Sequence, residues 1–186
     1  MDLVKDLRLN EDIFKRMIGK QFYKYKCDPF VFTNTVTGIV GLYIGEKVFE
    51  LKNEQTAFQY FDSMDDVALW NIKEVNDPEI HSVFANTEQI DTLINQNINS
   101  ITLANEHQIV NIHTQEYNLW LTRAILFHLE NCDIYFEKDN TAFSEEIEIK
   151  CGHDLLSEFP KRNDYFLDQW IEGIKSDVQT EFIEIQ

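Results

Sequence analysis

The sequence predicts an α+β fold that consists mainly of an antiparallel sheet of hairpins, with a short N-terminal helix and a C-terminal amphipathic helix. Alternation of polar and apolar residues, which is typical of strands, recurs along most of the chain, whereas helical spacing is confined to segments near the two termini. The chain has only six Gly and three Pro, and no segment rich in either divides it. We therefore expect a single domain over residues 1–186.

The N-terminal helix is predicted over residues 10–18. Asn10 is a suitable N-cap, and Glu11 and Asp12 follow it in the first turn, where acidic side chains interact favourably with the helix dipole. Apolar residues at helical spacing form one face, basic residues lie on the other, and Gly19 provides an end point. This pattern indicates a short amphipathic helix.

From residue 22 onward the period becomes that of strands. The segments with this pattern are 22–26, 37–44, 47–51, 67–72, 98–104, 108–113, 116–129, 132–137 and 145–151. Gly45-Glu46 suits a tight turn, and Asn76-Asp77-Pro78 should end a strand, because proline is excluded from central strands. Residues 53–64 and 79–97 fit either a strand or a helix.

The last part of the chain changes period again. Apolar residues at helical spacing run from Tyr165 to Ile174, and Asn163 precedes them as a possible cap. This stripe predicts a C-terminal helix that packs on the sheet. We expect Trp170, within the stripe, to be buried in the core.

Two segments separated by 85 residues share a pattern. The matching positions are Val40, Leu42, Ile44, Phe49, Leu51 and Thr56-Ala57-Phe58 in the first segment, and Ile125, Phe127, Leu129, Ile134, Phe136 and Thr141-Ala142-Phe143 in the second. Both patterns are those of a hairpin. A duplication would explain the match, but alternation alone makes any two hairpins look similar.

The charge of the chain restricts its function. It has 33 acidic and 16 basic residues, a net charge of −17. Residues 1–26 carry seven basic and four acidic side chains, so residues 27–186, with nine basic and 29 acidic, carry −20. Such a surface repels nucleic acid and anionic membranes and attracts basic proteins, although acidity also serves solubility alone.

The sequence also restricts the location of the protein. No apolar run is long enough to cross a membrane, and the first residues lack the pattern of a secretion signal. Three Cys do not make a disulfide framework, and they fit a reducing compartment. We expect a cytoplasmic protein.

Acidic residues are concentrated in one stretch of the chain. Residues 130–148 hold seven carboxylates and one Lys. The candidate partner-binding residues are Glu130, Asp133, Glu137, Asp139, Glu145, Glu146 and Glu148. In the predicted strand Glu146 and Glu148 share the face opposite Ile147 and Ile149, so these two carboxylates should face water.

Other chemistry has less support. His128, Cys132, Cys151 and His153 are ligand types that zinc prefers, and a thiol beside an imidazole is a possible nucleophile. However, turns near residues 130 and 152 should lie at opposite ends of adjacent strands, too far apart to share one ion. Phosphate-binding glycine motifs are absent. We expect no catalytic residue, no metal and no cofactor.

One stretch of the sequence resembles part of a known group of proteins. Residues 123–131, 134–139 and 143–149, followed by Gly152, resemble a segment of small bacterial proteins, some of which occur among the immunity proteins of polymorphic toxin systems. The resemblance implies a non-enzymatic protein that binds a basic cognate toxin. The alternatives are a small metal- or thiol-dependent enzyme and an acidic mimic of DNA.

Overall fold

The computed structural model describes residues 3–60, 63–112, 115–138, 143–159 and 174–186, and β-strands predominate in them. The strands are β1 Leu3–Leu7, β2 Gln21–Cys27, β3 Thr35–Thr37, β4 Ile39–Ile44, β5 Lys47–Tyr60, β6 Ser63–Val75, β7 Ile90–Ile112, β8 Gln115–Leu129, β9 Asp133–Lys138, β10 Glu146–Gly152 and β11 Ile174–Ile185. The described helical elements are α1, Glu11–Lys15, and 3₁₀ turns at Asp77–Glu79 and Leu155–Glu158.

All eleven strands belong to one sheet. Its order is β3-β10-β9-β8-β7-β2-β4-β5-β6, with β1 pairing with β8 and β11 pairing with β7. Every described pair is antiparallel except β1 with β8. The long strand β7 links two halves of this sheet. Its beginning pairs with β2, which leads to β4, β5 and β6, and its remainder pairs with β8, which leads to β9, β10 and β3.

The core lies between the two halves of the sheet. A cluster of buried apolar side chains joins β2, β4 and β5 to β7, β8, β9 and β10. The alternation in these strands therefore has a direct cause, because every second side chain reaches the interior.

The predicted α+β fold class is wrong, since the described residues are mostly antiparallel sheet. At the C-terminus, the described residues form β11 and no helix, and they pair with β7 from Ile174 opposite Ile112 to Ile185 opposite Ile101. The stripe that suggested a helix, including Trp170, falls on residues outside the described part of the chain, apart from Ile174.

The short N-terminal helix is confirmed. Asn10 is extended, and its side chain accepts a hydrogen bond from the Asp12 amide at 2.9 Å, as an N-cap does. Phe14 is fully buried against the core. Gly19 has φ +70°, a conformation that favours glycine, and its amide bonds to the carbonyl of Ile98 in β7.

The two similar segments form hairpins with the same register. In the β4–β5 hairpin Leu42 lies opposite Phe49, and in the β8–β9 hairpin Phe127 lies opposite Ile134, which is the equivalent pair after a shift of 85 residues. The ten matching residues from Val40 to Leu51 and from Ile125 to Phe136 are buried, whereas Phe143, which matches Phe58, is exposed. Equal register is what a duplication requires, and it also follows where two hairpins bury the same alternating face.

Gly41 in β4 allows the 76–89 segment to pack closely on the sheet. A Cβ at Gly41 would lie 2.5 Å from Cγ2 of buried Ile80. We expect Gly41→Ala to lower the free energy of unfolding by about 1–3 kcal/mol through overpacking, measured by urea denaturation. In a Gly41→Ala/Ile80→Ala double variant the loss should be smaller than the sum of the single losses. Additive losses would contradict this explanation.

The described helices are all short. Among them, none has the length and apolar character that a bilayer crossing needs.

Candidate binding surface

The acidic residues suggested for partner binding lie in separate places. Glu130 and Asp133 lie at one end of the β9–β10 ladder, in and directly after the β8–β9 turn. At the other end Glu137, near the end of β9, lies opposite Glu148, while Glu145 directly precedes β10 and Glu146 begins it. Asp139 lies outside the described residues. Asp133 pairs with Gly152 at the far end of β10, so the length of this strand separates the turn residues from Glu146. The six carboxylates among the described residues therefore do not form one surface.

Glu137 is buried, with only 5% of its surface exposed. The Tyr135 hydroxyl donates a hydrogen bond to one of its carboxylate oxygens at 2.7 Å, and Nη2 of Arg123 lies 3.1 Å from the other. Burial raises the pKa of Glu137, while the Tyr135 hydrogen bond and the Arg123 charge oppose this rise. Glu137 therefore supports the fold and is not placed to meet a partner.

Arg123 connects Glu137 to a second buried carboxylate. Its Nε lies 3.3 Å from Oε2 of Glu106, a residue with no exposed surface, and its Nη1 donates to the Lys138 carbonyl at 2.6 Å. The Gln108 side chain donates to the same Glu106 oxygen at 3.2 Å. This cluster is closed to solvent, so it is a structural ion network and not an open site.

Strand β10 and its neighbour β3 form an acidic edge. Glu146 lies opposite Thr37, and Glu148 lies opposite Thr35. Ile147 is buried in the core and Glu146 is exposed, as the strand pattern predicts. Glu148 is half-buried, and its carboxylate lies 3.0 Å from Nζ of Lys150. We call β3 together with Glu145, Glu146 and Glu148 the acidic edge.

An apolar groove adjoins the acidic edge. It has a volume of about 530 Å³, and it lies between the 28–37 and 84–87 segments. Val31, Phe32 and Phe84 line it with 75%, 97% and 54% of their surfaces exposed, and Glu146 lines it from the acidic edge. We call this feature the loop groove. Adjacent large apolar side chains at such exposure indicate a binding surface.

A buried carboxylate also lines the loop groove. Asp28 is 7% exposed, and one of its oxygens accepts a hydrogen bond from the Ser82 hydroxyl at 2.7 Å. Its other oxygen, Oδ1, is buried and has no hydrogen-bond partner. An unpaired buried acceptor is unfavourable, and a donor that reaches it is bound more tightly for this reason.

The loop groove is not predictable from the periodicity of the sequence. Residues 28–34 and 82–87 lie outside regular strands, so they have no periodicity that separates an inner from an outer face. The available signal is Phe30-Val31-Phe32, an apolar run directly after Pro29. Three large apolar residues in a loop are unusual, because a loop usually leaves its side chains in water.

The thiols and imidazoles suggested for a metal site do not form one. The expected separation of the two turns is wrong for the thiols, since the Sγ atoms of Cys132 and Cys151 lie 3.7 Å apart. However, the ring nitrogens of His128 contact Asp133 at 3.0 Å and Thr102 at 2.8 Å. In the described part of the chain, no group of three or more metal-binding side chains comes together.

Comparisons with protein-family models, curated proteins and solved structures gave no match to this chain.

Proposed function

We propose that this protein is a non-enzymatic, acidic binding protein of the immunity type, which neutralises a basic cognate toxin by direct contact. The loop groove carries this proposal, since it places exposed aromatic side chains directly beside Glu146. An apolar centre with a charged rim is the common arrangement of protein interfaces. The contact is proposed to take place in the cytoplasm.

The charge of the protein supports a basic partner. Its net charge of −17 attracts positively charged proteins over long distances and speeds their encounter. The acidic edge would then orient the partner relative to the loop groove.

The chemistry of the loop groove favours a Lys or Arg side chain with an apolar neighbour. Aromatic faces such as Phe32 and Phe84 attract cations, and the unpaired oxygen of Asp28 accepts a hydrogen bond from a charged donor. Because Asp28 Oδ1 is covered, a side chain of the partner must displace residues of the groove to reach it. A basic segment with an aromatic or aliphatic residue fits these features.

Identification of the partner is the first experiment. The full chain is used as bait in a lysate of its own cells, with Phe32→Ser as the comparison bait. A protein retained by the wild type and lost by Phe32→Ser is then purified and expressed alone and together with this protein. The proposal requires that this partner is basic, is toxic alone, and is neutralised by co-expression. An acidic or harmless partner would contradict it.

Reversing the acidic edge should slow association with that partner. We expect Glu145→Lys/Glu146→Lys/Glu148→Lys to reduce the association rate about tenfold or more at low salt, with a smaller difference at high salt. Ile147 stays in the core, but Glu145 accepts a hydrogen bond from the Gln55 amide at 2.8 Å and Glu148 pairs with Lys150, so urea denaturation must first show that the variant is folded. The measurement is association kinetics over a series of salt concentrations.

The control for the acidic edge makes the same change in charge elsewhere. Asp177, Glu181 and Glu184 are exposed on β11, which three strands separate from β10. Their reversal to Lys should slow association less than reversal of the acidic edge. Equal slowing would show that only the net charge matters, and unchanged kinetics in both variants would exclude electrostatic steering.

A further inference from the structure

Two of the three thiols meet at one end of the β9–β10 ladder. Cys132 directly precedes β9, and Cys151 lies in β10 opposite Ile134. Their Sγ atoms are 3.7 Å apart. A disulfide bond is about 2 Å long, so the sulfurs must approach by roughly 1.7 Å to form one.

The two thiols differ in access to solvent. Cys151 is exposed, whereas Cys132 is half-buried with the Gln96 side-chain amide 3.5 Å from its sulfur. The third thiol, Cys27, is only 2% exposed. A reagent in solution therefore meets Cys151 first, and Cys132 is the nearest second thiol.

We propose that Cys132 and Cys151 are a redox-active pair, which forms a reversible intramolecular disulfide by exchange with small-molecule disulfides such as oxidised glutathione. This site is independent of the proposed binding function. It joins the beginning of β9 to the end of β10, at the opposite end of β10 from Glu146.

The exchange proceeds in two steps. The Cys151 thiolate attacks one sulfur of oxidised glutathione, which gives a mixed disulfide and releases one glutathione thiolate. The Cys132 thiolate then attacks the Cys151 sulfur and releases the second glutathione. Two protein thiols are oxidised, one glutathione disulfide is reduced to two thiols, and the protons pass to the released thiolates and the solvent.

The local environment should make thiol–disulfide exchange at this pair slow near neutral pH. Burial and the neighbouring Cys132 raise the pKa of Cys151 to about 11. The thiolate fraction below this pKa rises tenfold for each pH unit, so the exchange should be roughly 100-fold faster at pH 9 than at pH 7. Burial raises the pKa of Cys27 to about 12, and Cys27 should not react.

The test exposes the full chain to buffers with increasing ratios of oxidised to reduced glutathione. Intact mass and peptide mapping then identify the products. The wild type should lose two hydrogens and contain a Cys132–Cys151 disulfide, and Cys27→Ser should behave in the same way. Cys132→Ser should stop at a glutathione adduct on Cys151, because no second thiol resolves it.

Three results of the oxidation step would overturn the proposal. They are a stable glutathione adduct on wild-type Cys151, a dimer linked through Cys151, and a protein that stays reduced even in the most oxidising buffer. None of these results depends on a binding partner, so the thiol pair and the proposed function fail or succeed separately. Addition of reduced glutathione should restore both thiols, and an irreversible product would also contradict the proposal.

Discussion

Replacing Arg123 with methionine is expected to lower the free energy of unfolding by about 3–5 kcal/mol, the usual cost of removing one partner from a buried ion pair. The substitution keeps most of the side-chain volume and removes only the charge and its donors. Glu106 and Glu137 would then remain buried without the guanidinium that lies within 3.3 Å of both. Chemical denaturation of the two proteins at neutral pH measures the loss.

The loss caused by Arg123→Met should depend on pH. Arg123 holds the pKa of Glu137 down against burial, so its removal should raise this pKa further. A carboxyl group whose pKa is higher in the folded state binds more protons there, so its contribution to stability falls as pH rises. The difference between variant and wild type should therefore shrink as pH is lowered from 7 to about 5. A difference that grows at low pH would contradict the network.

Two further variants separate the buried network from other effects. Arg123→Met/Glu137→Gln removes a charge from each side. Its loss in free energy of unfolding should therefore be smaller than the sum of the losses in the two single variants. Arg16→Met breaks an exposed ion pair with Glu74 and should leave stability unchanged within error. Equal losses for Arg123→Met and Arg16→Met would show that burial of the network does not matter.

Much of the sheet was predictable because its strands bury one face. In β10 the order Glu146, Ile147, Glu148, Ile149 places apolar residues in the core at every second position, and the structure confirms it. Strands β2, β8 and β9 were also located to within a few residues, although β9 is buried on both faces. Local alternation suffices wherever one side of a strand is apolar and the other meets water.

Sequence periodicity is misleading where polar residues are buried. The predicted break at residues 105–107 does not exist, since β7 continues through it. Asn105 is 2% exposed and accepts a hydrogen bond from the Thr122 hydroxyl at 2.8 Å, and Glu106 faces Arg123. These partners are distant in sequence, so a local pattern of polar residues indicated a turn where tertiary contacts support a strand.

The candidate site was predicted only in part. Glu146 lies on the acidic edge as its strand pattern required, but Glu137 has the same alternating setting and is buried by contacts that periodicity does not reveal. The sequence also gave no reason to associate residues 28–34 with residues 82–87. Their proximity depends on the register of the sheet and on the hydrogen bond between Asp28 and Ser82.

Phe127→Ala should lower the free energy of unfolding by about 3–5 kcal/mol, as is usual for removing a large aromatic side chain from a core. Phe127 in β8 is fully buried, and its ring centroid lies 5.3 Å from that of Phe22 in β2 and 5.9 Å from that of Phe136 in β9. Truncation would therefore leave a cavity between the two halves of the sheet. Thermal and urea denaturation measure the loss.

Phe32→Ala is the matched control for Phe127→Ala, because it removes the same atoms from a side chain that is 97% exposed. It should leave the free energy of unfolding within about 0.5 kcal/mol of the wild type. The two variants should also differ in binding. Phe32→Ala removes an aromatic contact of the loop groove, so it should weaken binding of the proposed partner roughly 30-fold. A large stability loss in Phe32→Ala would show that Phe32 packs in the fold, and the loop groove could not then be an open surface.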